Sequence, residues 1–225
     1  MRRMAAWSSL FAVMGLVCAC LALAHIPRGQ AVTQALPTIV IDPGHGGYDP
    51  GAIGGPQGPY EKNINLSISL ILAGFLRSHH FHAYLTRTAD QAPSGPPFRN
   101  SRDLHLRAAL ARQWHATIFI SIHTNAEPTG QASGPIVYYR AGSPASLALA
   151  HRVSSALASL SGRAVPPRPI RQLVLQEAGV PAVNVEVGFI THPLDQSRLV
   201  NSQYQTRLAH AIDQGVVRYL SRGPS

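Results

Sequence analysis

The sequence predicts an α/β fold, with a mostly parallel central sheet flanked by helices on both faces, in a single domain over residues 38–221. Three observations predict it. Short apolar runs rich in β-branched residues recur at Thr38 to Ile41, Ala83 to Thr86, Thr117 to Ile122 and Ala182 to Val187. Between them lie stretches whose apolar residues fall at helical spacing. Two of the runs end in histidine-bearing segments, at the strand ends where sheets of this class bind their ligands.

The first 24 residues stand apart from this pattern. Arg2 and Arg3 precede a nearly unbroken apolar run from Met4 to Leu23, and Ala22-Leu23-Ala24 offers the small residues of a cleavage site. Residues 1–24 therefore read as a signal peptide or an N-terminal membrane anchor, the run being close to the ~20 residues that span a bilayer. A lipoprotein site at Cys20 is a weaker third reading. Each reading sends the rest of the chain out of the cytoplasm, to the periplasm or cell envelope, anchored by residues 4–24 if that segment is retained. Residues 25–37 carry Pro, Gly and polar residues and read as a linker.

The domain opens with a buried strand at Thr38 to Ile41, which runs into the turn Asp42-Pro43-Gly44-His45-Gly46-Gly47. Pro43 fixes φ, and the glycines permit backbone paths that a Cβ forbids, so one imidazole can stand in the open beside a closely approaching ligand. After a Gly- and Pro-rich stretch, Asn63 is the expected N-cap of a helix with Ile64, Ile68, Ile71, Leu72, Phe75 and Leu76 inward. That placement sets Glu61 just before the helix. A strand over Ala83 to Thr86 and a loop over 91–97 lead to a helix from Arg102 to His115. The third strand, Thr117 to Ile122, ends at His123-Thr124-Asn125-Ala126.

A further strand is expected at Pro135 to Tyr139, a helix at Pro144 to Leu160 and a Pro- and Arg-rich loop at 161–169. Short strands follow at Leu173 to Leu175 and Ala182 to Val187, the second carrying Glu186 inside an apolar run. The last helix spans Ser202 to Leu220.

Composition narrows the chemistry. Both cysteines, Cys18 and Cys20, lie in the N-terminal segment, so the predicted domain has no thiol and no disulfide. Without Arg2 and Arg3 the formal charge of +9 falls to +7, and Lys62 is the sole lysine. Such a surface suits an acidic polymer, but the arginines are scattered rather than interleaved with aromatics, which disfavours nucleic acid. Two loop histidines and two carboxylates suit a borderline metal such as zinc, and two His plus one carboxylate with an open position is the catalytic pattern. Glu186 costs several kcal/mol to bury unless it is ligated, protonated or paired, the last being a plain salt bridge to an arginine. His79, His80 and His82 read as solvated groups near a helix end. His192, close to Glu186 in sequence, is a candidate for the substrate cleft.

Four blocks, Ile41-Asp42-Pro43-Gly44-His45-Gly46-Gly47, Glu61-Lys62-Asn63, Ser121-Ile122-His123-Thr124-Asn125-Ala126 and Val185-Glu186-Val187-Gly188-Phe189-Ile190, occur in this order. Together they resemble the successive signatures of the zinc-dependent N-acetylmuramoyl-L-alanine amidases of the Amidase_3 family, over about Thr38 to Leu220. The resemblance implies a hydrolase that cuts the amide between the lactyl group of N-acetylmuramic acid and L-alanine in peptidoglycan. It implies zinc held by His45, Glu61 and His123, with Glu186 as the catalytic carboxylate. Asp42 and Asn125 are expected to orient the ligand histidines from behind. Thr124 and His192 depart from the commoner Ala and Asn of the family. The short interval from His123 to Glu186 leaves no room for the long inhibitory helix of the division-associated members. Peptidoglycan is thus the expected polymeric partner, the membrane is reached only through an uncleaved N-terminus, and the need for a protein activator is left open. The alternatives are another zinc-dependent wall hydrolase, a peptidase or deacetylase, and a non-catalytic peptidoglycan-binding module.

Overall fold

The structure is a computed structural model that describes residues 35–221. The expected N-terminal segment and residues 25–34 of the linker lie outside the described residues. Six strands form one sheet in the order β2-β1-β3-β6-β4-β5. They are β1 (Thr38–Pro43), β2 (His82–Leu85), β3 (Ile118–Asn125), β4 (Ile136–Arg140), β5 (Arg168–Ile170) and β6 (Ala182–Phe189). All pairings are parallel except β4 with β6.

Alternation along the strands builds two cores, because successive side chains point to opposite faces. Ile39 and Ile41, Ile118, Ile120 and Ile122, and Val183, Val185 and Val187 enter the larger one. They pack against α1 (Glu61–Ser78), α3 (Pro144–Ser161) and α6 (Ser202–Leu220). Val40, Phe119 and Ala182 face the other way, onto α2 (Asn100–Gln113) and the short α4 (Leu173–Glu177). Both faces are covered, which is why the central strands read as apolar runs rather than as half-polar ladders. Gly215 permits the close approach of α6 to α3, since a Cβ there would meet the Val153 Cα at 2.6 Å. Among the described residues, no helix is long and apolar enough to cross a membrane.

The structure corrects three local expectations. Leu173 to Leu175 is not a strand but the start of α4, and the edge strand β5 comes from Arg168–Ile170 instead. Three apolar residues in a row cannot distinguish a buried strand from a helical turn. The helix after the first loop begins at Glu61, with Tyr60 rather than Asn63 as its cap residue, so Glu61 lies inside the first turn. A helix the sequence did not announce, α5 (Pro193–Leu199), follows β6, with Pro193 in its first turn and the His192 ring accepting from the Asp195 N–H at 3.3 Å.

Candidate metal centre

Strand register assembles the site. On the face toward α2, Asp42, Ser121 and Asn184 are lateral partners across β1, β3 and β6. The next row up on that face pairs His123 with Glu186. Asp42, Ser121 and Asn184 each lie two residues beyond an apolar one that points the same way, and His123 and Glu186 two beyond Ser121 and Asn184, so they continue the face past the core to its open end. Beyond β1 the chain turns, and His45 takes a left-handed backbone with φ of 61°. Such a conformation costs a non-glycine residue on the order of 1 kcal/mol and needs outside support.

Two buried arginines that the sequence reading passed over provide that support. The Pro43 carbonyl accepts from Arg87 Nε at 2.9 Å and from Arg107 Nη1 at 2.8 Å. Gly44 O accepts from Arg87 Nη2 at 2.9 Å, and His45 O from Arg107 Nη2 at 2.8 Å. Arg107, from α2, also pairs with Asp42 at 2.7 Å and Asp103 at 2.6 Å. Burial would lower its pKa, but these two carboxylates outweigh burial and raise it. Burial, with Arg107 close by, brings Arg87 down to about 10, so it too stays cationic near neutrality.

Glu61 projects from the first turn of α1, the end of a helix that favours negative charge. Its Oε1 lies 3.2 Å from His45 Nε2 and 3.0 Å from His123 Nδ1. The same oxygen accepts from the Thr124 N–H and from Asn65 Nδ2, while Oε2 accepts from the Ala52 N–H. One atom from each of His45, Glu61 and His123 lies within 4.8 Å of the others, a group able to hold a metal ion. Gly44 is what lets them converge: a Cβ there would fall on the His123 ring, 2.7 Å from Nδ1 and closer still to its neighbours. Asp49 Oδ2 takes the other nitrogen of His45, Nδ1, at 2.7 Å. That contact turns Nε2 toward Glu61.

The electrostatics describe a place that calls for a cation. Burial would raise the Glu61 pKa, yet the two imidazoles outweigh it and hold the carboxyl far below its usual range. Burial would lower His45, but Glu61 and Asp49 push it up to about 9.

Glu186 differs in kind. Burial raises its pKa, helped by the charge of Glu61 and opposed by His123, Asn184 and His45. Its Oε1 accepts from Asn184 Nδ2 at 3.0 Å, whereas Oε2 is buried and has no partner. No arginine lies within ion-pair distance of it among the described residues, so the plain salt-bridge reading has no structural basis. An orphaned carboxylate oxygen costs several kcal/mol unless it has work to do.

Asp42 and Asn125 do not touch the histidine rings. Asp42 accepts from Thr86, Ser121 and Arg107, and so reaches the His45 backbone through the guanidinium. Asn125 Oδ1 accepts from the next N–H, of Ala126. His192 caps α5. The residues in direct support are Asp49, Asn65 and Asn184, which lie four after His45, four after Glu61 and two before Glu186. Those offsets place them on the same loop, helix face and strand face as the residues they hold, a signal the sequence did contain.

A family model described as N-acetylmuramoyl-L-alanine amidase, Amidase_3, matches residues 39–218. The chain belongs to this family. A curated relative, the germination-specific N-acetylmuramoyl-L-alanine amidase of Bacillus subtilis, is 30% identical over 190 residues, covering 81% of this chain and 79% of the relative. The CwlD amidase from Clostridioides difficile, solved in complex with the GerS lipoprotein, superposes with a TM-score of 0.79 at 28% identity. That match covers 83% of this chain and all of CwlD. A second Clostridium difficile amidase is 35% identical with a TM-score of 0.76, over 84% of this chain and 98% of its own. The Amidase_3 assignment thus spans the sheet, its helices and all four residues singled out by chemistry, His45, Glu61, His123 and Glu186.

Proposed function

We propose that this chain is a peptidoglycan hydrolase that cleaves the amide between the lactyl group of N-acetylmuramic acid and L-alanine. In this reading zinc is held by His45, Glu61 and His123, and Glu186 moves the proton. The observation that carries it is the unpartnered Glu186 Oε2 beside a convergent His-Glu-His group. Those donors fit zinc: two imidazoles and one carboxylate, already drawn together, with a fourth position left to water or substrate.

Zinc bound there supplies Lewis acidity toward the scissile carbonyl and makes water nucleophilic near neutral pH. The protein's own residues do the rest. Asn184 fixes one oxygen of Glu186 and leaves the other without a partner, beside His123 in the strand register, free to take a proton from the attacking water. Burial keeps the pKa of Glu186 above the ordinary carboxylate range, so the same oxygen can hand that proton to the departing alanine amine. Asp49 keeps His45 in the tautomer that presents Nε2. The apolar run of residues 1–24 supports export to the envelope, where this polymer lies.

Digestion of purified peptidoglycan by the full-length protein, followed by mass analysis of the products, tests this reading. Free stem peptides beginning with L-alanine, abolished by a chelator and restored by zinc, are expected. Cuts within the peptide, or release of acetate, would replace the amidase reaction with that of a peptidase or deacetylase on the same metal group. Zinc binding without any product would replace it with a binding role.

A further inference from the structure

A cavity of about 510 Å³ opens at the β4 side of the site, apart from the metal group. Ile136, in its wall, is the lateral partner of Glu186, and Phe189 lies three residues further along the same strand. The opposite wall carries Arg163 and Arg168 from the Pro- and Arg-rich loop and edge strand, with Arg198 from α5. Among the described residues, none of these guanidiniums has a carboxylate within ion-pair distance, although seven of the ten acidic residues of the chain make ion pairs elsewhere. The one acid in the lining, Asp195, is buried and already accepts from the N–H groups of Gly134 and Phe189. The cavity therefore presents three arginines against one buried carboxylate, a net positive lining beside the strand that carries Glu186.

We infer that this cavity binds the peptide arm of the substrate through the carboxylate of the first acidic residue beyond the alanine. The inference rests on the amidase reading above. Chemistry and reach select that occupant. Once the lactyl carbonyl faces Glu186, the glycan and the peptide must leave in different directions, and only the peptide carries carboxylates. The edge strand β5 lies two strands from β6, about 10 Å away, and an extended peptide advances ~3.3 Å per residue. Two or three residues thus separate the scissile bond from Arg168. In a muramoyl peptide the second residue is D-glutamate joined through its γ-carboxyl, which leaves its α-carboxylate free in that interval. Guanidinium forks bind carboxylates in two-pronged fashion, and the stiff Pro166-Pro167 pair sets the loop between Arg163 and Arg168.

The test compares two muramoyl dipeptides whose γ-carboxyl is capped as the methylamide and which differ only at the α-carboxyl, one a free acid and one its amide. The full-length zinc-loaded protein should turn over the acid with kcat/KM about tenfold above the amide, mainly through KM. In Arg168→Gln/Arg198→Gln the ratio should fall to about one, the loss falling on the acid, a change of ratio that misfolding cannot mimic. Equal handling of both substrates by the wild type would overturn the inference, as would an equal loss on both in the variant. If neither substrate is cut, the peptidoglycan digestion above decides the amidase reading separately. The cavity is then judged by calorimetric titration with the L-alanyl dipeptides of the same capped pair, acid and amide. Tighter binding of the acid, lost in the double variant, sustains the anion site; equal binding removes it.

Discussion

The two oxygens of Glu186 have different surroundings, and that difference decides what substitution there should do. Oε1 is held by Asn184, and Oε2 has no partner in the protein. Glutamine keeps the size of the side chain but cannot take up a proton at neutral pH. Glu186→Gln is therefore expected to retain wild-type metal content while kcat falls about 10²- to 10⁴-fold, the usual share of general acid–base catalysis. Loss of the metal, read by elemental analysis of the purified variant, would make Glu186 a ligand instead. Asp49 acts at one remove. It holds His45 Nδ1 from a partly exposed position, so Asp49→Ala should weaken zinc affinity by about 10- to 100-fold. Stability of the metal-free fold should change by less than ~1 kcal/mol, because the lost pair is partly solvated. Competition with a chromophoric chelator measures the first and chemical denaturation the second; a large change in the second alone would assign Asp49 to the fold.

At the scale of elements, the segment that carries His45 is held from outside by α2. Arg107 crosses from that helix to bind Asp42, the Pro43 and His45 carbonyls, and Asp103 on its own helix. Arg107→Met would leave Asp42 and Asp103 as buried carboxylates without a cation. Breaking one side of a buried pair costs about 3–5 kcal/mol, and that loss should appear in urea unfolding of the metal-free protein. A smaller loss, below ~1 kcal/mol, would mean that the neighbouring Arg87 can take over. This arrangement also marks the limit of what the sequence disclosed at this scale. The strands β1, β3 and β6 were legible because burial on both faces writes continuous apolar runs, as in Ile118 to Ile122. Helices α1, α3 and α6 were legible from their periodic apolar faces. Arg87 and Arg107 were not, since a buried arginine looks like a solvated one until its distant partners, 25 to 65 residues away, are known. The short elements α4 and α5 escaped for a different reason, having too few residues to display a period. Glu61, His123 and Glu186 could be singled out by motif, while register, which the sequence does not spell, is what sets His123 beside Glu186.

The molecule as a whole should have a sharp acid limit and a metal-dependent melting point, for separate reasons. Burial would raise the pKa of Asp42, but Arg107 and the hydroxyls of Thr86 and Ser121 outweigh burial and hold it below the ordinary 3.8. A carboxyl whose pKa is lower folded than unfolded stabilises the fold above the unfolded value and loses that contribution as pH falls toward the folded one. Metal-free protein should thus keep the Asp42 contribution at pH 5 and lose it progressively below pH 3.8. Unfolding midpoints across that range check this, and Asp42→Asn should flatten the limb. A metal held at this group would act on topology instead. His45 follows β1, Glu61 begins α1 and His123 ends β3, so one ion bound there would tie together three elements that the chain connects only through loops. An ion that binds the folded chain and not the unfolded one adds about 2.7 kcal/mol when present at 100 times its dissociation constant. For a domain of this size each kcal/mol moves the melting temperature by ~2–4 °C. Zinc at that level should therefore raise the melting temperature of the metal-free protein by about 5–10 °C, reversibly with chelator. The same shift is expected in Glu186→Gln and none in His123→Ala, since the first keeps all three donors and the second lacks one. An equal shift in His123→Ala would place the stabilising ion somewhere other than this group, and the assignment of His45, Glu61 and His123 as its holders would fall with it.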